Sequence, residues 1–145
     1  MEATWFVVAD RSQAQLFEVE GTKLKPTLKP LETIEHPEGR RAEARRTGAS
    51  SSSGMRDLLV ETNGIHEEQD RKFVRQLLER LVHAQHQKQF ERLVIAAPAD
   101  FVGKLRELAA RSGLSRAVVR EIIGDYTNDT LHALQERARR KEWLH

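Results

Sequence analysis

The sequence predicts one α/β domain, covering residues 1–145, in which helices flank a mixed five-stranded sheet. Three observations predict this class. The length of 145 residues suits one hydrophobic core and is too short for two. The first part of the chain carries short strand-like runs separated by turn residues. The second half alternates helical periodicity with short apolar runs that are typical of buried strands.

The beginning of the chain predicts an antiparallel hairpin followed by a third strand. The apolar run over residues 5–10 ends at a turn, and residues 14–20 resume a strand pattern. An extended segment over residues 24–34 follows the next turn. Because Pro26 and Pro30 have no amide hydrogen to donate to a neighbouring strand, we expect this third strand at a sheet edge.

The stretch at about 37–64 predicts a long, flexible loop. Glycines, four consecutive serines and clustered arginines replace any apolar periodicity there. Long loops inside compact domains are uncommon and are usually mobile or functional. We therefore expect a partner to bind this loop.

Helices and strands alternate over the rest of the chain. A helix is predicted from 66 to about 89, a buried strand over 92–97, a helix opened by Asp100, a strand over 118–123 and a last helix from Asn128 or Asp129 to about 141. The element order is thus β-β-β-loop-α-β-α-β-α. This order resembles the ribonuclease H-like and ribosomal-protein-like three-layer folds.

Composition excludes several kinds of site. The chain has no cysteine, which excludes disulfides, thiolate catalysis and cysteine-based zinc sites. Its first residues have neither the basic start nor the long apolar run of a signal peptide or membrane span, so we expect a cytoplasmic protein without membrane insertion. No glycine loop has the spacing of a nucleotide-binding motif, and no cofactor is predicted.

Arginine clusters give the leading functional hypothesis. The formal net charge is only +2, so the distribution of charge matters more than its total. One cluster lies in the predicted loop and contains Arg40, Arg41, Arg45 and Arg46. The other lies near the end of the chain and contains Arg137, Arg139, Arg140 and Lys141. Arginine pairs well with phosphate, so the loop cluster predicts contact with RNA or the ribosome.

Two alternatives to that hypothesis stay open, and one further residue has two possible roles. The arginines are also compatible with simple solubilising surface charge. A protein–protein adaptor could use the same loop or the exposed third strand. His36, which precedes the loop cluster, is a candidate either for anchoring the loop or for contacting the partner.

A third hypothesis is a divalent-metal-dependent nuclease of the ribonuclease H type, which needs several carboxylates at strand ends. The candidates are Asp10, Glu67 or Glu68, Asp100 and Asp125. Asp10 and Asp125 also have an ordinary explanation as turn residues, and Asp100 as a helix cap. No histidine pair has a visible third ligand, so no metal site is predicted. We therefore assign no catalytic residue and favour a binding protein over an enzyme.

Motifs along the whole chain occur in the order and spacing of a known family. They are Trp5-Phe6-Val7-Val8-Ala9-Asp10 with Ala14-Gln15-Leu16-Phe17-Glu18, His36-Pro37-Glu38-Gly39-Arg40, His66 with the Phe73-to-Leu81 helix face, and Leu93-Val94-Ile95-Ala96-Ala97-Pro98 leading to Phe101-Val102-Gly103-Lys104-Leu105-Arg106. With them the chain resembles the bacterial host attachment proteins, the proteins required for attachment to host cells.

That resemblance implies a fold related to the middle domain of archaeal and eukaryotic class I peptide-release factors, and a connection with translation. It also implies a role in host attachment, which we expect to be indirect because no secretion signal is visible. The loop reads Arg46-Thr47-Gly48-Ala49-Ser50 and lacks the Gly-Gly-Gln tripeptide of release factors. Peptidyl-tRNA hydrolysis is therefore not predicted.

Overall fold

The computed structural model of the chain describes residues 3–37 and 55–144, with side chains of the first helix described from Glu68 onward. Over these residues it has five strands, three α-helices and a short 3₁₀ helix. In chain order they are β1 Thr4–Ala9, β2 Gln13–Gly21, β3 Pro26–Glu35, α1 Met55–His86, β4 Arg92–Ala97, α2 Ala99–Ala109, the 3₁₀ helix Gly113–Arg116, β5 Val118–Ile123 and α3 Leu131–Arg140. The predicted α/β class is confirmed, while the ribonuclease H-like assignment stays a prediction.

The five strands form one mixed sheet in the order β3-β2-β1-β4-β5. β1 pairs antiparallel with β2 and parallel with β4, so that Val7 lies opposite both Leu16 and Ile95. β5 is parallel to β4. Hairpin connections extend the sheet on one side of β1, and helical connections extend it on the other. The strand order therefore reverses between β1 and β4, and the carboxyl ends of β1, β4 and β5 meet at one edge.

Alternation along β1 supplies both faces of the core. Trp5 and Val7 face α1 and α2, where they join a cluster with Leu77 and Leu81 of α1. The spacing of the α1 residues follows the helical repeat, which directs one stripe of the helix onto the sheet. Trp5 also packs against Phe90, with their ring centroids 5.0 Å apart.

The opposite face of the sheet is covered by α3 and the residues that follow it. Phe6 of β1 and Leu134 of α3 belong to this second cluster. Trp143 is buried there, with its ring edge-on to Phe6 at 6.2 Å and to Tyr126 at 5.0 Å. Helices thus lie on both faces of the sheet.

The first helix begins earlier than predicted. α1 starts at Met55 rather than near His66, so residues 55–64 of the predicted loop are helical. The prediction was wrong because it took residues 37–64 as one stretch without apolar periodicity, although Met55, Leu58 and Leu59 stand three and four residues apart, which is the spacing of a helix. The loop arginines Arg40, Arg41, Arg45 and Arg46 lie outside the described residues.

Two predicted helix caps are also wrong. α2 has Pro98 at its N-cap, which places Asp100 inside the first turn. α3 is capped by Thr130, whose hydroxyl oxygen accepts a hydrogen bond from the Ala133 amide, rather than by Asn128 or Asp129. Neighbouring residues with similar capping propensity cannot be separated by sequence alone. Within the described ranges, no helix combines the length and apolarity that crossing a membrane requires.

Candidate functional site

A charged cleft of about 120 Å³ lies where the carboxyl ends of β1 and β4 meet the start of α2. Its charged lining consists of Asp10, Arg11, Asp70, Asp100, Lys104 and Asp125. In open α/β sheets, ligands bind outside the carboxyl ends of the strands, at the point where the strand order reverses. This cleft occupies that position, and it is the candidate functional site.

Asp10 holds the turn after β1. It is buried, and its Oδ1 accepts hydrogen bonds from the Ser12 amide at 2.7 Å, the Ser12 hydroxyl at 2.8 Å and the Gln13 amide at 3.0 Å. Its Oδ2 lies 2.5 Å from the hydroxyl of Thr127. Oδ1 therefore fixes the backbone of the turn, which is the role that the sequence indicated, while Oδ2 contacts the side chain of Thr127.

Thr127 ties the loop after β5 to this turn. Besides its contact with Asp10, its backbone oxygen accepts a hydrogen bond from the Gln15 side chain at 3.1 Å. Asp125 lies two residues earlier, with Oδ1 3.1 Å from the Thr127 hydroxyl. The sequence analysis missed Thr127, because its partner Asp10 is distant in the chain and no local pattern marks the pair. The contacts of Thr127 place Asp125 at the rim of the cleft.

Asp70 is the centre of the charged cluster at the site. It is buried on α1, and three basic side chains converge on it. Its Oδ2 lies 3.0 Å from Arg11 Nε and 3.7 Å from Lys104 Nζ, and its Oδ1 lies 3.1 Å from His36 Nε2. A buried carboxylate is stable only when it is paired and hydrogen-bonded in this way.

Sequence reasoning also missed Asp70, although a signal was present. Asp70 stands three and four residues before Phe73 and Val74, on the stripe of α1 that packs against the sheet. A charged side chain that interrupts an apolar stripe indicates a buried ion pair. The side chain of His66, four residues earlier in the sequence, lies outside the described residues.

His36 is fixed at the end of β3. It is buried, its ring stacks on Phe73 with centroids 4.8 Å apart and planes 9° apart, and its amide donates to the Ser12 carbonyl at 2.8 Å. These interactions, together with the contact to Asp70, hold His36 in a fixed position at the end of β3. A direct contact between His36 and a partner stays a prediction.

The nuclease candidates come together only in part. Asp10, Asp100 and Asp125 line the same cleft, but Asp100 and Asp125 are exposed whereas Asp10 is buried and saturated with donors. Oδ1 of Asp100 accepts from the Phe101 amide at 3.0 Å. The side chain of Glu67 lies outside the described residues. Among the side chains that the structure does describe, no three acidic or histidine groups are placed to hold a metal ion.

The C-terminal arginine cluster makes contacts within the fold. Arg137 Nε lies 3.1 Å from Asp129 Oδ2, and its guanidinium lies 5.2 Å from the centre of the Tyr126 ring. Arg139 pairs with Glu136 at 2.9 Å and donates to the Pro26 carbonyl at 3.1 Å. These contacts favour a structural role for much of this cluster.

A separate ion pair joins α2 to β5. Arg106 donates to both carboxylate oxygens of Glu121, from Nε at 3.1 and 3.2 Å and from Nη2 at 2.9 Å. The hydrogen bonds that Arg106 donates to Glu121, and then the negative charge of Glu121, raise the pKa of Arg106 above the ordinary value of arginine. Arg106 is exposed and lies outside the cleft, so the pair is a surface contact.

Comparison with known proteins gives one match over most of the chain. A family model described as "Protein required for attachment to host cells" matches residues 5–137. No curated protein matches the chain. Among solved structures, one described as "Archaeal protein" matches with 14% identity and a TM-score of 0.46, covering 98% of this chain and 34% of its own. The chain thus spans about a third of that archaeal protein.

Proposed function

Since the chain belongs to the family of proteins required for attachment to host cells, we propose that it is a non-enzymatic, cytoplasmic binding protein whose partner is RNA, free or within the ribosome. The family description points to a role in host attachment. In this proposal that role is indirect and follows from RNA binding. A ribonuclease H-like fold related to the release-factor middle domain is part of the same proposal, which the helices on both faces of a mixed sheet support.

The anchoring of His36 is the observation that carries this proposal. His36 is held at the cleft by Asp70 and Phe73. Arg40 follows His36 by four residues in the sequence, so the arginine cluster is joined to a residue that the fold anchors.

Four arginines close together in sequence suit a phosphate backbone. A guanidinium group can form two parallel hydrogen bonds to phosphate oxygens and keeps its charge at all physiological pH values. Binding of this kind releases counterions from the nucleic acid, so the affinity falls as salt is added. The proposal therefore predicts a salt-sensitive association that depends on Arg40, Arg41, Arg45 and Arg46.

Co-sedimentation with ribosomes tests the proposal. The wild-type protein is expected to pellet with ribosomes at about 50 mM KCl and to be released largely at about 200 mM. Replacing the four loop arginines with alanine should abolish pelleting at the lower salt concentration. The matched control removes four exposed arginines from elsewhere on the fold, namely Arg75, Arg111, Arg116 and Arg120. Equal loss of pelleting in both variants would contradict a specific role of the loop.

A protein–protein adaptor is the second candidate function. β3 is an edge strand, and Leu24, in the turn that precedes it, is 87% exposed. A partner protein can add one of its strands to an exposed sheet edge, and a large exposed apolar side chain can contribute to the contact. In that case, association with a purified partner should persist at high salt and be lost with Leu24→Ser. Binding that disappears at high salt and tolerates Leu24→Ser favours RNA instead.

A further inference from the structure

We propose that the charged cleft at the carboxyl ends of β1, β4 and β5 binds a small zwitterion, an α-amino acid with an apolar side chain. This inference goes beyond RNA binding and rests on described residues only. The cleft has a cationic side, an acidic rim and an apolar wall. Each of these parts matches one group of an α-amino acid.

The cationic side is formed by Arg11 and Lys104. Both side chains are mostly buried, and both pair with the one carboxylate of Asp70. Among these three groups, two positive charges against one negative charge leave a formal excess of one positive charge on this side of the cleft. Arg11 contacts Asp70 through Nε, so its two terminal amino groups are not engaged by Asp70. A planar carboxylate is the anion that such a fork binds with two hydrogen bonds.

The acidic rim is formed by Asp100 and Asp125. Both are exposed, and neither forms an ion pair with a basic side chain among the described residues. Oδ1 of Asp125 contacts the hydroxyl of Thr127, and Thr127 is itself fixed by its contact with Asp10. Two unpaired carboxylates attract an ammonium group and repel a second anionic group. The rim therefore favours a zwitterion over a phosphate, which carries more negative charge.

The apolar wall is formed by Phe73, Val74 and Phe101, which are buried and line the cleft. The phenyl rings of Phe73 and Phe101 pack edge to face at 6.0 Å, and His36 stacks on Phe73. The space of about 120 Å³ holds on the order of ten water-sized groups. That size fits leucine or a similar amino acid.

The site is also preorganised. His36 and Arg11 hold the carboxylate of Asp70, while Asp10 and Thr127 join the two loops that border the cleft. Groups that are already fixed lose little conformational entropy when a ligand binds. The position at the reversal of strand order agrees with a ligand site.

Isothermal titration calorimetry with four probes tests this inference. L-leucine carries both charges, N-acetyl-L-leucine keeps only the carboxylate, and L-leucinamide keeps only the ammonium group. Inorganic phosphate represents a simple anion. We expect leucine to bind at least about tenfold more tightly than each of the other three probes. Each of those probes lacks either the ammonium group or the carboxylate that the cleft is proposed to bind.

Two substitutions test the binding of the carboxylate and of the ammonium group of the ligand separately. Lys104→Met and Asp125→Asn should each weaken leucine binding at least about tenfold. Lys72→Met is the control, because Lys72 is exposed on α1 and does not line the cleft. Thermal unfolding without leucine checks that each variant is folded. If Lys104→Met does not fold, the exposed Asp125 still provides the test.

Three results would overturn the inference. The first is the absence of leucine binding at millimolar concentrations. The second is tighter binding of phosphate than of leucine, which would identify the cleft as an anion site. The third is unchanged leucine affinity in a folded Asp125→Asn protein. None of these results depends on whether the protein binds RNA.

Discussion

The hydroxyl oxygen of Thr127 lies 2.5 Å from Oδ2 of Asp10, across a separation of 117 residues in the sequence. Both side chains are buried. The contact joins the loop after β5 to the turn after β1. It therefore connects the two outer strands of the parallel part of the sheet. This hydrogen bond is one of the contacts that hold the rim of the charged cleft.

Thr127→Val is expected to lower the free energy of unfolding by about 1–3 kcal/mol, because it leaves a buried carboxylate oxygen without its donor. The two side chains have nearly the same shape, so packing changes little. Urea denaturation measures the effect. Thr33→Val on the exposed part of β3 is the matched control and should change stability by less than about 0.5 kcal/mol. Equal stability of the two variants would contradict the role of Thr127.

Asp10→Asn separates the structural role of Asp10 from a catalytic one. We expect a loss of about 1–3 kcal/mol in the free energy of unfolding, because the carboxylate accepts hydrogen bonds on both oxygens. We expect no cleavage of labelled RNA by the wild-type protein with Mg²⁺ or Mn²⁺. Metal-dependent cleavage that vanishes in a folded Asp10→Asn protein would instead support the nuclease.

His36→Phe tests the anchor at the end of β3. Phenylalanine can keep the stack on Phe73 but cannot donate to Asp70 Oδ1. The free energy of unfolding should fall by about 1–3 kcal/mol in chemical denaturation. His83→Phe, at an exposed position of α1, is the control. A similar small effect of both substitutions would show that the contact with Asp70 adds little stability.

The regular elements could be predicted because their signals are local. Alternation in β1 and the apolar stripe from Phe73 to Leu81 each depend on residues a few positions apart, and the Asx-type turn at Asp10 is equally local. The charged cleft could be predicted only in part. Asp10, Asp100 and Asp125 were named as candidates for a nuclease, whereas the structure places them in the lining of a cleft that also contains Arg11 and Lys104.

The remaining site residues depend on distant contacts. Asp70 meets Arg11 and His36 only when α1 packs across the sheet, and Thr127 meets Asp10 only when β5 is in place. No local pattern specifies such pairs. The start of α1 was missed although Met55, Leu58 and Leu59 stand at helical spacing, because the serine- and glycine-rich residues before them indicated a loop.

Trp143 provides a further test, because it is an aromatic residue that follows the C-terminal basic cluster in the sequence. Its ring packs inside the fold, against Phe6 and Tyr126. Trp143→Ala should therefore lower the free energy of unfolding by about 3–5 kcal/mol. Trp143→Phe should fold and bind RNA with the affinity of the wild type, as measured by fluorescence anisotropy. A large loss of RNA affinity in a folded Trp143→Phe protein would place this residue in the binding surface.

The salt dependence of RNA binding tests the central claim most directly. The dissociation constant for a labelled single-stranded RNA is measured at several salt concentrations, for the wild type and for the variant without Arg40, Arg41, Arg45 and Arg46. Each phosphate contact contributes about 0.7 to the slope of log affinity against log salt. The account predicts that the variant binds more weakly and that its slope is smaller by about 2–3. The same slope in both proteins, or no RNA binding by the wild type, would contradict it.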